Sequence, residues 1–426
     1  MKYTKRIFKN RLTLISITDL STSAVTIEAY VRAGFRFDPI DKPGLSHFTE
    51  HIIFNATNSS PNLSKLAQNV ERYGGWRSAF TWVENQKHTI HLPKDNFVDG
   101  AKLMLGTIFE PPITESEIKK EKGVVKEEIL RNKSDPSKGI WDYAWFPLFF
   151  QGTSLSRPYS GTVEDISKIS KSDVSSFVSS YFRPENVVIF VAGDLEPACI
   201  QEVVDKYSKK YTSSSKKENV VPLAPKIKKQ VLVHTDASYY QTSIAIGIKT
   251  VPFNSQLKSR LDILLDMLSG YFGTPLIQEL RDKGGLIYTW YSFQDNLSDN
   301  GYLLFNISVD HKNVNLVTKI VLQEFSRFAR GDFKEEEVEK AKSHLIGSIL
   351  ANTETGRDYI EWYGLQELLS PKKILHIEDK IKIYKEINSR ELKDIASQCF
   401  NRNNIFIAAV GSADETSLSK LILEWR

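Results

Sequence analysis

Apolar and polar positions along this chain fall into two textures: short runs that read as strands, and longer charged or apolar stretches that read as helices. Leu12-Thr13-Leu14-Ile15-Ser16-Ile17 is a short alternating run and predicts the first β-strand. Residues 25–31 and 242–248 predict further strands, each ahead of an apolar helix. Residues 186–194 and 404–412 carry continuous apolar runs closed by Gly193 and Gly411, the pattern of buried strands. Charged helices begin at Glu117 and Glu337 and reach Leu130 and Leu350. Strands, a helix, strands, long helices and a final strand follow one another without strict alternation. That order predicts an α+β fold, a mainly antiparallel sheet with helices on one face.

These elements come in pairs related by an offset of about 217 to 220 residues, the mark of an internal duplication. A polar run, Thr212-Ser213-Ser214-Ser215-Lys216-Lys217-Glu218-Asn219, followed by Pro222 and Pro225, reads as the joint. The expected organisation is two homologous domains, 1–211 and 226–426, with a linker at 212–225.

Composition agrees with more than one domain, since 426 residues exceed what one core usually supports. A formal charge of +4 is too small at that length to argue for nucleic acid as a partner. No segment has the apolar length of a membrane span. The basic start, Met1-Lys2-Tyr3-Thr4-Lys5-Arg6, could open a transit peptide, but strand character begins almost at once. Cys199 and Cys399 form neither a metal-binding spacing nor a disulfide framework, so a reducing, cytoplasmic setting is expected.

Candidate chemistry is concentrated in Leu45-Ser46-His47-Phe48-Thr49-Glu50-His51-Ile52-Ile53-Phe54. Residues four apart share a helix face, so His47 and His51 can grip one ion, and Glu50 points toward that face with a carboxylate able to act on water. His47-x-x-Glu50-His51 is a zinc-hydrolase signature in the inverted order. The bland alternative, an exposed turn with a His/Glu pair, sits poorly beside Leu45, Phe48, Ile52, Ile53 and Phe54, because polar groups within an apolar helix are costly unless paired or ligating. The duplication sharpens this. Leu264, Met267 and Leu268 occupy the corresponding positions of the second half, so the fold itself does not require the polar set. Catalytic zinc sites use three protein ligands, so a third is required.

Here the chain resembles the pitrilysin/insulinase zinc peptidases, in particular the mitochondrial-processing-peptidase-like branch. The resemblance rests on the inverted motif, on Glu121-Lys122-Gly123-Val124-Val125-Lys126-Glu127-Glu128, on Gly74-Gly75-Trp76-Arg77-Ser78-Ala79-Phe80-Thr81, and on Leu280-Arg281-Asp282-Lys283-Gly284-Gly285-Leu286-Ile287-Tyr288. It implies Glu128 as the third ligand and Glu121 as its supporting carboxylate, with Glu127 facing away. It implies an edge strand at Ser78, Ala79, Phe80 and Thr81 that holds peptide by strand addition, with Ser78 standing where the family has asparagine. An ordinary edge strand is the alternative there. It further implies that Arg281 and Tyr288 contact substrate and stabilise the oxyanion, while the same segment also reads as a helix closed by Gly284-Gly285 and followed by a strand. Glu84 matches a family acidic position without an evident role. His88 and His91, three apart on a strand, point to opposite faces and read as ordinary strand histidines.

The resulting expectation is a metalloendopeptidase holding one Zn²⁺ per chain through His47, His51 and Glu128, with Glu50 as general base, although the ligand set suits other divalent ions too. Its substrates would be short or unstructured peptides inside a closed chamber. The resemblance implies half of a four-domain clamshell, hence a homodimer, or alternatively a heterodimer with a related chain. The rival function is a non-catalytic or regulatory subunit of a processing-peptidase-like complex.

Overall fold

Eleven strands, most of them the apolar runs, form in the computed structural model, which describes residues 1–56, 61–214, 222–236 and 238–425. The first sheet contains β1 (Lys2–Ile7), β2 (Thr13–Thr18), β3 (Ala24–Val31), β4 (Trp76–Thr81), β5 (Gln86–Pro93) and β6 (Val187–Gly193), in the order β1-β2-β6-β3-β5-β4. The second contains β7 (Val231–Thr235), β8 (Thr242–Lys249), β9 (Ile287–Asn296), β10 (Gly301–Val309) and β11 (Ile405–Gly411), in the order β7-β11-β8-β10-β9. From β2 onward the two orders are the same, so the duplication read from spacing is a duplication of topology. Both sheets are antiparallel except where the closing strand returns beside the opening one: β2 runs parallel to β6, and β7 to β11. The α+β expectation holds, with one parallel pair in each sheet.

One strand precedes the expected first one. β1 carries Lys2, Lys5 and Arg6 at the sheet's edge and is largely exposed. An edge strand protected by charge has no apolar alternation to reveal it.

Two compact units make up the chain. The first comprises Met1–Ile129, Tyr159–Val221 and Asn352–Ile374; the second comprises Leu130–Pro158, Pro222–Ala351 and Leu375–Arg426. One of the breaks between them, before Pro222, lies in the expected linker, half of which, 215–221, lies outside the described residues. Each sequence half gives one helical segment to the other half's unit. The reason is visible in the first sheet, where β3 and β6 are buried on both faces. Val25, Ile27, Ala29 and Val31 face one core with Phe48 and Ile52. Ile15, Ile17, Tyr30, Val188, Phe190 and Ala192 form a second apolar layer, covered by Ile360 and Tyr363 of the helix Gly356–Leu369. Helices therefore cover both faces of this sheet, where one was expected, because a strand apolar on both sides must be covered twice.

The first four helices are α1 (Leu45–Ala56), α2 (Pro61–Arg72), α3 (Phe97–Phe109) and α4 (Glu115–Lys133), and α1 and α4 carry the candidate ligands. The start of α1 is held from outside the helix. The Asp38 carboxylate accepts from the backbone amides of Gly44 at 2.9 Å and Ser46 at 2.7 Å, occupying donors that a helix N-terminus leaves open.

Candidate metal centre

His47, Glu50 and His51 all lie on α1, and Glu121 and Glu128 lie two turns apart on α4. The helix pair brings Glu128 to both histidines. Its Oε1 is 3.8 Å from His47 Nε2, and its Oε2 is 3.2 Å from His51 Nε2. Tetrahedral bonds of about 2.0–2.1 Å separate neighbouring ligand atoms by roughly 3.4 Å, and these contacts lie close to that. One ligand atom from each of the three residues falls within 4.8 Å of the others, and no other such group occurs among the described residues. The donor set thus fits a divalent ion of the zinc class. His51 turns its other nitrogen, Nδ1, toward Glu121 Oε2 at 3.6 Å, and Glu121 is buried. A carboxylate in that place orients the ring and its tautomer. Glu127, the neighbour of Glu128, is exposed.

Electrostatics separate the histidines. Burial, assisted by the neighbouring His51, pushes His47 down to about 4, against the attraction of Glu128, so it is neutral and has a lone pair free to bind metal. Burial also acts to lower His51, but Glu128, Glu50 and Glu121 together carry it above the usual histidine range. Burial pushes the Glu50 carboxyl above the usual carboxylate range, with the Thr81 hydroxyl and His51 opposing.

Thr81 donates a hydrogen bond to Glu50, an interaction that the spacing of residues could not reveal. β4, the strand expected to hold peptide, is terminal in its sheet. Ser78 and Phe80 are exposed, Ala79 is half-buried, and Thr81 is buried. The turn after β4 is fastened to the segment leading into α1. Phe35 and Arg36 donate backbone hydrogen bonds to the carbonyls of Trp82 and Val83 at 3.1 and 2.9 Å. Glu84 forms a buried ion pair with Arg36 at 2.7 Å. Gln86 Nε2 donates to the Ser46 carbonyl at 2.7 Å. Asp38, Arg36 and Gln86 escaped the sequence reading; the one signal was Glu84, whose partner lies far off in the chain.

Arg281 and Tyr288 belong to the second unit. The Arg281 guanidinium lies over the ring of Phe272 at 4.7 Å and that of Trp290 at 5.7 Å. Tyr288 is in β9, and its side chain lies outside the described residues. Gly285 takes a positive φ of 58° and its amide bonds to the Arg281 carbonyl, closing the preceding helix. In the second unit's copy of α1, Lys258–Ser269, the residues Leu264, Met267 and Leu268 are buried in the core. His88 is buried beside Gln86, and His91 bonds to Thr26 and stacks on Trp76. No helix among the described residues is long and apolar enough to cross a membrane.

Two family profiles match the chain, insulinase (peptidase family M16) over residues 13–162 and the M16 peptidase inactive domain over residues 168–345. The first contains every candidate ligand; the second covers most of the region that lacks them. Among similar proteins, the uncharacterized zinc protease YmxG of Bacillus subtilis is 23% identical over 93% of this chain and 95% of its own. Zinc protease PqqE of Helicobacter pylori is 23% identical over 92% of this chain and 89% of its own. Among solved structures, a protease from Helicobacter pylori matches with a TM-score of 0.86 at 21% identity, covering 96% of this chain and 99% of that one. A chain of complex III from Candida albicans matches with a TM-score of 0.83 at 16% identity, covering 99% of each. At those identities the structures speak to fold alone.

Proposed function

The chain belongs to the M16 peptidase family, and on that premise we propose that it is a zinc-dependent endopeptidase acting on short or unstructured peptides. One observation carries the reading: the Nε2 atoms of His47 and His51 converge on the two oxygens of Glu128, with the Glu50 carboxylate on the same helix. The names of the relatives, zinc proteases, support zinc as the ion, and the single group of three candidate ligands among the described residues supports one per chain. Zinc held there supplies Lewis acidity, polarising a peptide carbonyl and acidifying water.

The chain's own residues do the rest. A peptide adds to the edge of β4 as an extra strand, so its backbone is gripped while its side chains alternate between faces. Glu50 accepts the proton of the attacking water and passes it to the leaving amine, a role suited to a carboxylate whose proton affinity burial has raised. Glu121 holds His51 through Nδ1. Arg281 and Tyr288 are assigned to the oxyanion and the substrate, a guanidinium and a phenol being suitable donors. The duplicated architecture supports a homodimer, and the free thiols of Cys199 and Cys399 support a reducing setting such as the cytoplasm.

Zinc content and digestion of a peptide library test this, with native mass measured on the same preparation. Wild type should carry one zinc per chain and cleave. Glu50→Gln should keep the zinc and lose about 10²–10⁴-fold in kcat, the usual worth of a general base. A wild type without zinc, or a Glu50→Gln protein that cleaves as wild type does, would favour the non-catalytic subunit instead.

A further inference from the structure

The carboxylate assigned as general base is held by a residue outside its own helix. Glu50 Oε2 accepts a hydrogen bond from the Thr81 hydroxyl at the end of the edge strand. Thr81 is only 5% exposed, so water competes little for that donor. Its partner across the ladder is Gln86, which bonds to the Ser46 carbonyl at 2.7 Å. One rung of the sheet therefore grips α1 at Ser46 and at Glu50, the two residues that bracket His47. Farther along the same face of β4, the Arg77 guanidinium lies over the Phe54 ring of α1 at 4.9 Å. Strand and helix are thus joined at both ends of the contact.

A glutamate on a helix can swing about several torsions, and a base that swings loses its alignment with the proton it must take. A hydroxyl donating to one oxygen fixes the carboxylate plane and leaves the second oxygen free to accept. We infer that Thr81 is the positioning residue for Glu50, orienting its carboxylate so that Oε1 takes the proton of the attacking water. Because Thr81 also belongs to the strand along which the peptide lies, one residue ties the base to the docking edge. The inference rests on the peptidase reading above.

Its test uses the full-length, zinc-loaded protein and a short peptide hydroxamate, a zinc ligand whose own proton is taken up by a correctly oriented base. Calorimetry should find the hydroxamate bound about tenfold more weakly by Thr81→Val, since a hydrogen bond to a charged group is lost, while zinc content is unchanged. Thr81→Ser should bind within about twofold of wild type, having kept the hydroxyl. In a Glu50→Ala background, Thr81→Val should change affinity by less than about twofold, because the coupling partner is gone. Turnover should show a lowered kcat at unchanged KM. Wild-type affinity in Thr81→Val, or an equal loss in the Glu50→Ala background, overturns this inference alone. A wild type that takes up no zinc overturns the peptidase reading and this inference together.

Discussion

His47 and His51 lie one helical turn apart, yet their surroundings move them in opposite directions, one toward the neutral ring and the other toward the imidazolium. The difference is geometric. His47 is buried beside His51 with one carboxylate, Glu128, acting on it, whereas three carboxylates surround His51. Burial has a cost elsewhere in the same unit. Glu28 on β3 is fully buried beneath the helix Gly356–Leu369, with Thr89 donating to one oxygen at 3.1 Å. Burial, together with Glu361, pushes its carboxyl up to about 7 against Lys87 and Thr89. The unfolded chain would release that proton near the ordinary glutamate value, so the folded state binds more protons between about 4.5 and 7 and stability falls as pH rises through that window. Glu28→Gln should remove up to about 3 kcal/mol of this dependence. Thermal melts between pH 5 and 8 check it: wild type should lose more Tm than the variant, and equal slopes would refute the assignment.

At the scale of elements, the candidate site is a question of how α1, α4 and β4 are held together. The pairing of His47 with His51 is local to one helix, and the 3.6-residue period made it legible in the chain. The hold on β4 is not local. Phe35 and Arg36 meet the turn after β4, and Gly34 makes that approach feasible. A Cβ on Gly34 would stand 2.1 Å from the Trp82 carbonyl oxygen and 2.4 Å from the Val83 carbonyl carbon, and backbone there has no way to yield. Gly34→Ala should therefore push the turn away, destabilise the first unit by about 1–3 kcal/mol as overpacking does, and raise KM for peptides more than it lowers zinc content. Thermal unfolding and steady-state kinetics on the same preparation measure both effects. β1 was illegible for a different reason: its charged edge carries no apolar period.

At the scale of the whole molecule, each compact unit contains a segment from the other sequence half. Gly364, on the helix lent to the first unit, lies against the Tyr30 ring, where a Cβ would stand 2.2 Å from the nearest ring atom. Gly364→Ala should lower stability by about 1–3 kcal/mol. Tyr30→Leu should lower it too by opening space, and the double variant should lose less than the sum, because the clash and the cavity occupy one place. Denaturant melts of the four proteins decide this, and strict additivity would mean that the two residues do not share a contact. The chain alone determined what repeats at short range: the His47/Glu50/His51 turn, the paired strands and helices, and the absence of ligands at Leu264, Met267 and Leu268. These follow from helix and strand periods, which act over a few residues. Only the tertiary structure decided that both oxygens of Glu128 meet the two Nε2 atoms, that Thr81 bonds to Glu50, and that residues 352–374 cover the first sheet. Each of these joins segments distant in the chain. The physical reason is that sheet register and the burial of a strand on both faces select such partners, and no spacing within a single element encodes them.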